Sequence, residues 1–258
     1  MRRNLFDLSG RVAVVTGGAT GLGLEISLGL AEAGAHVVPS SRRPEQVEKA
    51  AAKIEALGQR SLRVACDVVE RASVQRLHDV VIKEFGKVDI LVNAAGITYK
   101  GPTLKMSEAE WSRVLETNLT GTLRACQIFG ATMVHAGYGR IVNMASLASF
   151  VSFCEVAAYS VSKAGVASLT RSLAIEWARK GVNINAIAPG IFSTTLNDAL
   201  VRGTKRGEEL LLRTPMGRFG EAREVAGAAV FLASEAASFV TGQVIAVDGG
   251  FLASGVNH

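Results

Sequence analysis

Long apolar runs are missing from this 258-residue chain. None approaches the ~18 residues of a membrane helix, so no span is expected. Cysteine is scarce. Cys66, Cys126 and Cys154 are odd in number and far apart, which fits free thiols in a reducing cytoplasm better than a disulfide framework. The four histidines are scattered without ligand spacing, so no metal is expected. Neither sign of charge dominates strongly: 28 basic residues face 23 acidic ones, for a net charge of +5. With no basic run interleaved with aromatics, a nucleic-acid partner is not expected. A mild positive field does suit an anionic cofactor or substrate. The basic start has no apolar stretch behind it, and the run from Val12 to Val15 is too short for a signal-peptide core. Linkers, low-complexity segments and composition shifts are also lacking, so a single domain over 1–258 is the simplest expectation.

Present instead is a steady alternation of short apolar runs and helical stretches. The runs Val12–Thr16, His36–Pro39, Ser61–Ala65, Ile90–Asn93, Arg140–Ala145, Asn183–Ala188 and Val244–Val247 read as seven buried strands. Helices are expected near 22–33, 44–57, 70–85, 108–136, 157–180 and 221–234. Repeated βαβ units imply an α/β fold: one doubly wound, Rossmann-like parallel sheet with helices on both faces. The polar stretch from Ile191 to Gly220 breaks the rhythm and reads as a lid over a site.

Two local patterns carry chemistry. The first strand runs into Thr16-Gly17-Gly18-Ala19-Thr20-Gly21-Leu22-Gly23, whose glycines let a backbone approach a pyrophosphate at a helix N-terminus. At the end of the second strand, where an acid would bond a ribose 2′-hydroxyl, stand Ser41 and Arg42. Those residues favour NADP(H) over NAD(H), because a guanidinium can pair with a 2′-phosphate. Asp67, past the third run, is read either as an adenine contact or as a helix cap. The second pattern is Tyr159-Ser-Val-Ser-Lys163. Positions i and i+4 share a helix face, so Lys163 would hold positive charge near the phenol and lower its pKa. A tyrosine so tuned can exchange a proton with a carbonyl or alcohol oxygen. Ser146 sits at a C-terminal strand edge, where ligands of such sheets bind. Asn118 in mid-helix is unfavourable by propensity, which suggests another duty.

These segments, with Asn93-Ala94-Ala95-Gly96 and Pro189-Gly190, resemble the short-chain dehydrogenase/reductase family over nearly the whole chain. The resemblance implies Tyr159 as general acid/base, Lys163 as its partner on the nicotinamide ribose, Ser146 on the substrate oxygen and Asn118 in a water relay. It implies a cofactor bed formed by Thr16, Gly17, Thr20, Gly21, Leu22, Gly23, Ser41, Arg42, Asp67, Val68, Asn93, Ala94 and Gly96. Tyr159, Lys163, Pro189, Gly190, Phe192 and Thr194 complete that bed. Ala94 departs from the family's usual Asn, which touches stability or assembly rather than catalysis. The ending Thr241–Gly250 implies a homotetramer. Within the family the chain looks most like gluconate 5-dehydrogenases, with 3-oxoacyl-acyl-carrier-protein reductases close behind. A small-molecule carbonyl or alcohol substrate is expected. A non-catalytic NADP-binding regulator is the rival class. Arg202, Lys205, Arg206 and Arg213 are candidate lid contacts, and Phe150, Phe153 and Cys154 candidate pocket residues.

Overall fold

A computed structural model describes residues 4–193 and 203–255. Strand β1 (Val12–Thr16) lies inside a six-stranded parallel sheet, and helix α1 (Gly21–Glu32) leads from it to β2 (His36–Ser40). Helices α2 (Pro44–Ala56) and α3 (Arg71–Phe85) then carry the chain back to β3 (Ile90–Asn93), on the other side of β1. Helix α4 (Glu108–Leu115), one π-helical turn over Glu116–Thr120 and α5 (Gly121–Ala136) precede β4 (Gly139–Met144). Helix α6 (Ala157–Trp177) precedes β5 (Val182–Pro189). A two-residue ladder of β6 (Phe192–Ser193) and β7 (Gly220–Glu221) brackets α7 (Lys205–Leu212). Helix α8 (Glu224–Ala233) and β8 (Val244–Val247) close the sheet in the order β2-β1-β3-β4-β5-β8.

Alternation along β1 shows why its run is wholly apolar. Ala13 and Val15 face the core under α1 and α8, while Val12 and Val14 face the core under α3, α5 and α6. A strand covered on both faces needs no polar side. The crossing of α1 and α8 is close: a Cβ on Gly29 would stand 2.6 Å from that of Ala226.

The sheet has six strands where the sequence suggests seven. Residues 61–65 run beside β2 but form no ladder with it. Hydroxyls take the places of ladder N–H groups. Ser61 Oγ donates to the Val37 carbonyl at 2.8 Å, and Ser40 Oγ donates to the Val64 carbonyl at 2.6 Å. Only the ends keep main-chain bonds, from Val37 N to Arg60 O and from Cys66 N to Ser41 O.

The order in which strands are added reverses between β1 and β3, which run parallel, and that point opens a crevice at the carboxyl ends of the strands. Near the same edge, α7 packs Leu210 against Leu147 and Phe251, beside Phe153. No described helix is long and apolar enough to cross a membrane.

Candidate active site

The glycine turn is shaped by distances that no side chain could keep. Gly17 has φ +71°, and a Cβ on it would lie 2.5 Å from Ala95 N. On Gly23 it would lie 2.2 Å from the Gly17 carbonyl oxygen and 3.3 Å from the Ala94 Cβ. Gly18 N donates to Val15 O and to Ser40 O, tying the turn to the ends of β1 and β2. Gly21 opens α1 with φ +54°. Thr20 is the N-cap of α1, yet its exposed side chain makes no capping bond. The first turn of α1 carries no acid, so its positive dipole end is uncancelled. Leu22 packs partly buried against the core.

Around this turn the other expected contacts divide. Arg42 is exposed and makes no ion pair among the described residues, while Ser41 accepts a hydrogen bond from Arg43 N at 3.3 Å. Asp67 is not the cap of α3, whose N-cap is Glu70. Its Oδ1 instead accepts from Val69 N at 3.0 Å and fixes the turn before that helix. Val68 is buried against Gly121. The Asn93 side chain points into the core rather than the crevice, donating to Asn143 Oδ1 at 2.9 Å and to Cys126 Sγ at 3.3 Å. Thr16 is buried beside it, with its hydroxyl 3.4 Å from Asn93 Oδ1. Ala94 N donates to Thr16 O. At the far side, Pro189 ends β5, Gly190 N donates to Val247 O, and Phe192 is buried against Gly220. Thr194 and Arg202 lie outside the described residues.

Tyr159, Lys163, Ser146 and Asn118 converge at the carboxyl end of β4. Lys163 is 6% exposed, and its Nζ donates to the Met144 carbonyl at 2.6 Å. The same Nζ stands 5.8 Å from the Tyr159 ring centroid. Burial pushes the ammonium down to about pKa 8. The phenol moves the other way: burial raises the Tyr159 pKa, and a hydrogen bond with Ser146 draws it back. The structure thus corrects the expectation that Lys163 lowers the tyrosine. Desolvation governs both groups, and Ser146 is the opposing influence. Ser146 Oγ also accepts from Ala148 N at 3.1 Å, which holds it at the strand edge.

Asn118 is fully buried within the π-turn. Its amide accepts from Ile97 N at 2.8 Å and donates to Ile97 O at 2.9 Å, pinning the strand extension after Gly96. A Cβ on Gly96 would lie 3.4 Å from Asn118 Oδ1 and 3.6 Å from Lys163 Nζ. π-Turns inside α-helices concentrate at functional sites.

The family model described as enoyl-(acyl carrier protein) reductase matches residues 17–252. The chain belongs to the short-chain dehydrogenase/reductase family. It is a nicotinamide-dependent oxidoreductase acting on CH–OH groups. The chain is 42% identical to D-threitol dehydrogenase of Mycolicibacterium smegmatis, over 95% of this chain and 94% of that one. It is 38% identical to gluconate 5-dehydrogenase of Gluconobacter oxydans, over 97% and 98% respectively. A solved gluconate 5-dehydrogenase from Burkholderia cenocepacia, in complex with NADP and tartrate, superposes with a TM-score of 0.93. It is 38% identical, covering 97% of this chain and 98% of that one.

A nicotinamide dinucleotide fits the residues present in this family member. Two glycine positions form a cradle that a Cβ would fill. Lys163 presents three N–H donors, of which one meets a protein carbonyl. The sequence reading missed Ser162, wholly buried and bonded to both Asn118 and Tyr159. Its position beside Lys163 was visible, but its partner 44 residues upstream was not.

Proposed function

We propose that this chain interconverts a secondary alcohol and a carbonyl on a polyol or sugar acid, using NADP(H) in preference to NAD(H). The observation that carries the reading is the buried Lys163 ammonium on one helix face with Tyr159, its Nζ 5.8 Å from the phenol ring, with Ser146 opposing the rise that burial gives the phenol pKa. When bound, the cofactor supplies or accepts the hydride. Gly17, Thr20, Gly21 and Gly23 would hold its pyrophosphate, Arg42 its 2′-phosphate, and Lys163 its nicotinamide ribose. Ser146 orients the substrate oxygen. Tyr159 gives that oxygen a proton in reduction and takes one in oxidation. Asn118 keeps the strand extension at Gly96 in place through Ile97 and lies on the route of proton exchange with solvent.

Polyols and sugar acids are favoured by relatives named for threitol and gluconate. NADP(H) is favoured by the exposed Arg42 and by the NADP-bound neighbour. The segment 191–220 serves as the lid, with α7 docked on Leu147 and Phe251. Of the candidate lid cations, Arg213 stacks over the Phe251 ring at 5.0 Å, and Lys205 and Arg206, with Arg202 outside the described residues, are the candidates that remain for substrate. A cytoplasmic homotetramer belongs to this reading. Self-association is supported by edge strand β8, whose apolar residues are partly uncovered.

The test is a panel of D-threitol, gluconate, 5-keto-gluconate and a 3-oxoacyl thioester, each with both cofactors. The expected result is turnover of a polyol or sugar acid with NADP(H). Turnover of the thioester alone would sink the substrate reading in favour of an acyl-carrier reductase. Tyr159→Phe should lower kcat by roughly 10²–10⁴-fold, the range of general acid–base catalysis, with NADPH binding nearly intact. Wild-type turnover in that variant would overturn the mechanism.

A further inference from the structure

Ser162 is completely buried on α6, between Tyr159 and Lys163. Its hydroxyl is used twice. It accepts from Asn118 Nδ2 at 3.0 Å and donates to the Tyr159 carbonyl at 2.7 Å. Serines within helices often bond back to a carbonyl one turn earlier, with no consequence beyond slight bending. Ser172 on the same helix does only that, donating to Ser168 O from an exposed position. Ser162 differs because the second bond comes from another element. The π-turn that holds Asn118 is thereby tied to the helical turn that holds Tyr159.

We infer that Ser162 is a positioning residue for the reaction: its hydroxyl couples the Asn118 amide to the Tyr159 main chain and sets where the phenol stands. The inference rests on the reading of Tyr159 as acid/base given above. The chain of bonds has a direction, from amide to hydroxyl to carbonyl, that an alanine cannot reproduce. In its absence one N–H of the Asn118 amide is left with no partner in a fully buried site, and only the two bonds to Ile97 still hold the amide. The turn of α6 that presents Tyr159 to Ser146 then loses its brace from the π-turn.

Helix α6 carries its own control. Thr170, also fully buried, accepts from Asn143 Nδ2 at 3.0 Å and donates to Val166 O at 2.8 Å. The construction is the same, two turns beyond the reacting groups. Removing either hydroxyl should cost stability. Only the loss of Ser162 should change the chemistry.

The experiment compares Ser162→Ala, Thr170→Ala and Tyr159→Phe with wild-type enzyme. It measures thermal midpoint, NADPH Kd, kcat and the pH dependence of alcohol oxidation. For Ser162→Ala we expect kcat to fall roughly 10–100-fold, the scale of a misplaced catalytic group, with Kd for NADPH within about twofold to threefold. Its rising pH limb should move to higher pH, because the Ser146 contact that draws the phenol down is weakened. Thr170→Ala should lower the thermal midpoint and keep both kcat and the limb. Adding Ser162→Ala to Asn118→Ala should cost little more than Asn118→Ala alone, since both break one chain. Wild-type kcat and an unshifted limb in Ser162→Ala would overturn the inference, whatever its melting point. Equal losses in Ser162→Ala and Thr170→Ala, with neither limb shifted, would do the same. A Tyr159→Phe enzyme with wild-type turnover would instead remove the reading beneath it. If Ser162→Ala does not fold, Ser162→Cys, whose thiol bonds weakly, carries the same comparison.

Discussion

The two walls of the crevice are built by opposite means. Around Gly17 and Gly23 the shape comes from side chains that are absent, so that backbone meets backbone at distances a Cβ would violate. Around Tyr159 and Lys163 it comes from buried polar side chains, each tied to a partner on another element. The first wall is steric and nearly rigid. The second is electrostatic, and it holds a charge where burial disfavours one. A change at the first wall should therefore act through fit. One at the second should act through protonation and stability.

The largest effect is expected at the steric wall. In Gly23→Ala the new Cβ meets the Gly17 carbonyl oxygen at 2.2 Å, a backbone atom that cannot swing aside. The turn must open, at a cost toward or beyond the top of the ~1–3 kcal/mol overpacking range. NADPH affinity should fall more than about tenfold, the equivalent of ~1.4 kcal/mol. Calorimetric titration checks it, and near-wild-type affinity would show that the turn is softer than its contacts imply.

The electrostatic wall gives the opposite sign of stability change. Lys163 loses its proton near pH 8 in the fold, against ~10.4 for an unperturbed lysine. Between those values the unfolded chain binds more protons, so this group makes stability rise with pH. Below pH 8 the full penalty applies, about 3 kcal/mol at ~1.36 kcal/mol per unit. Lys163→Met, similar in length and uncharged, should thus be more stable than wild type at pH 7 without cofactor. The gap should close toward pH 10, while turnover is lost. Urea midpoints at the two pH values check it. A variant less stable at pH 7 would mean that the bond to Met144 outweighs the burial.

How far each wall was legible in the sequence follows from the same contrast. Gly17, Gly21 and Gly23 are local in sequence and in space, so spacing alone conveyed the turn. The pair Tyr159 and Lys163 was legible because i and i+4 share a face. Its electrostatics were not, because desolvation depends on everything packed around α6. Apart from the resemblance, Asn118 stood out only as a poor helix residue, and its partners Ile97 and Ser162 are distant in sequence. The resemblance puts Asn93 in the cofactor bed, and the sequence could not show that its side chain faces the core, where Asn143 on the neighbouring strand receives it. The run at 61–65 has the apolar pattern of a strand, yet hydroxyls there replace the ladder bonds, which spacing cannot show.

Beyond the steric wall, past the end of β2, lies Arg42, whose effect should be intermediate and selective. It is exposed just past the end of β2 and has no ion-pair partner among the described residues. A hydrogen bond to a charged group is worth ~1.5–3 kcal/mol, so Arg42→Ala should raise KM for NADPH roughly 10–100-fold. KM for NADH should barely move. Equal changes for both cofactors would remove Arg42 from the 2′-phosphate.

The smallest effect separates a cap from a ligand contact at one kind of position. Ser107 caps α4, accepting from Glu110 N at 3.2 Å. Ser107→Ala should therefore lose the ~1 kcal/mol typical of caps. Thr20 occupies the same place on α1 but gives its helix no such bond. Thr20→Ala should change stability by less than about 0.5 kcal/mol, as at ordinary surface positions. Its NADPH affinity should nonetheless fall a fewfold, because the hydroxyl stands at an uncancelled helix N-terminus where phosphate oxygens bind. Paired melting curves and titrations of the two variants decide the matter. If Thr20→Ala melts like Ser107→Ala and binds NADPH like wild type, the threonine serves the helix. The cradle is then made by backbone alone.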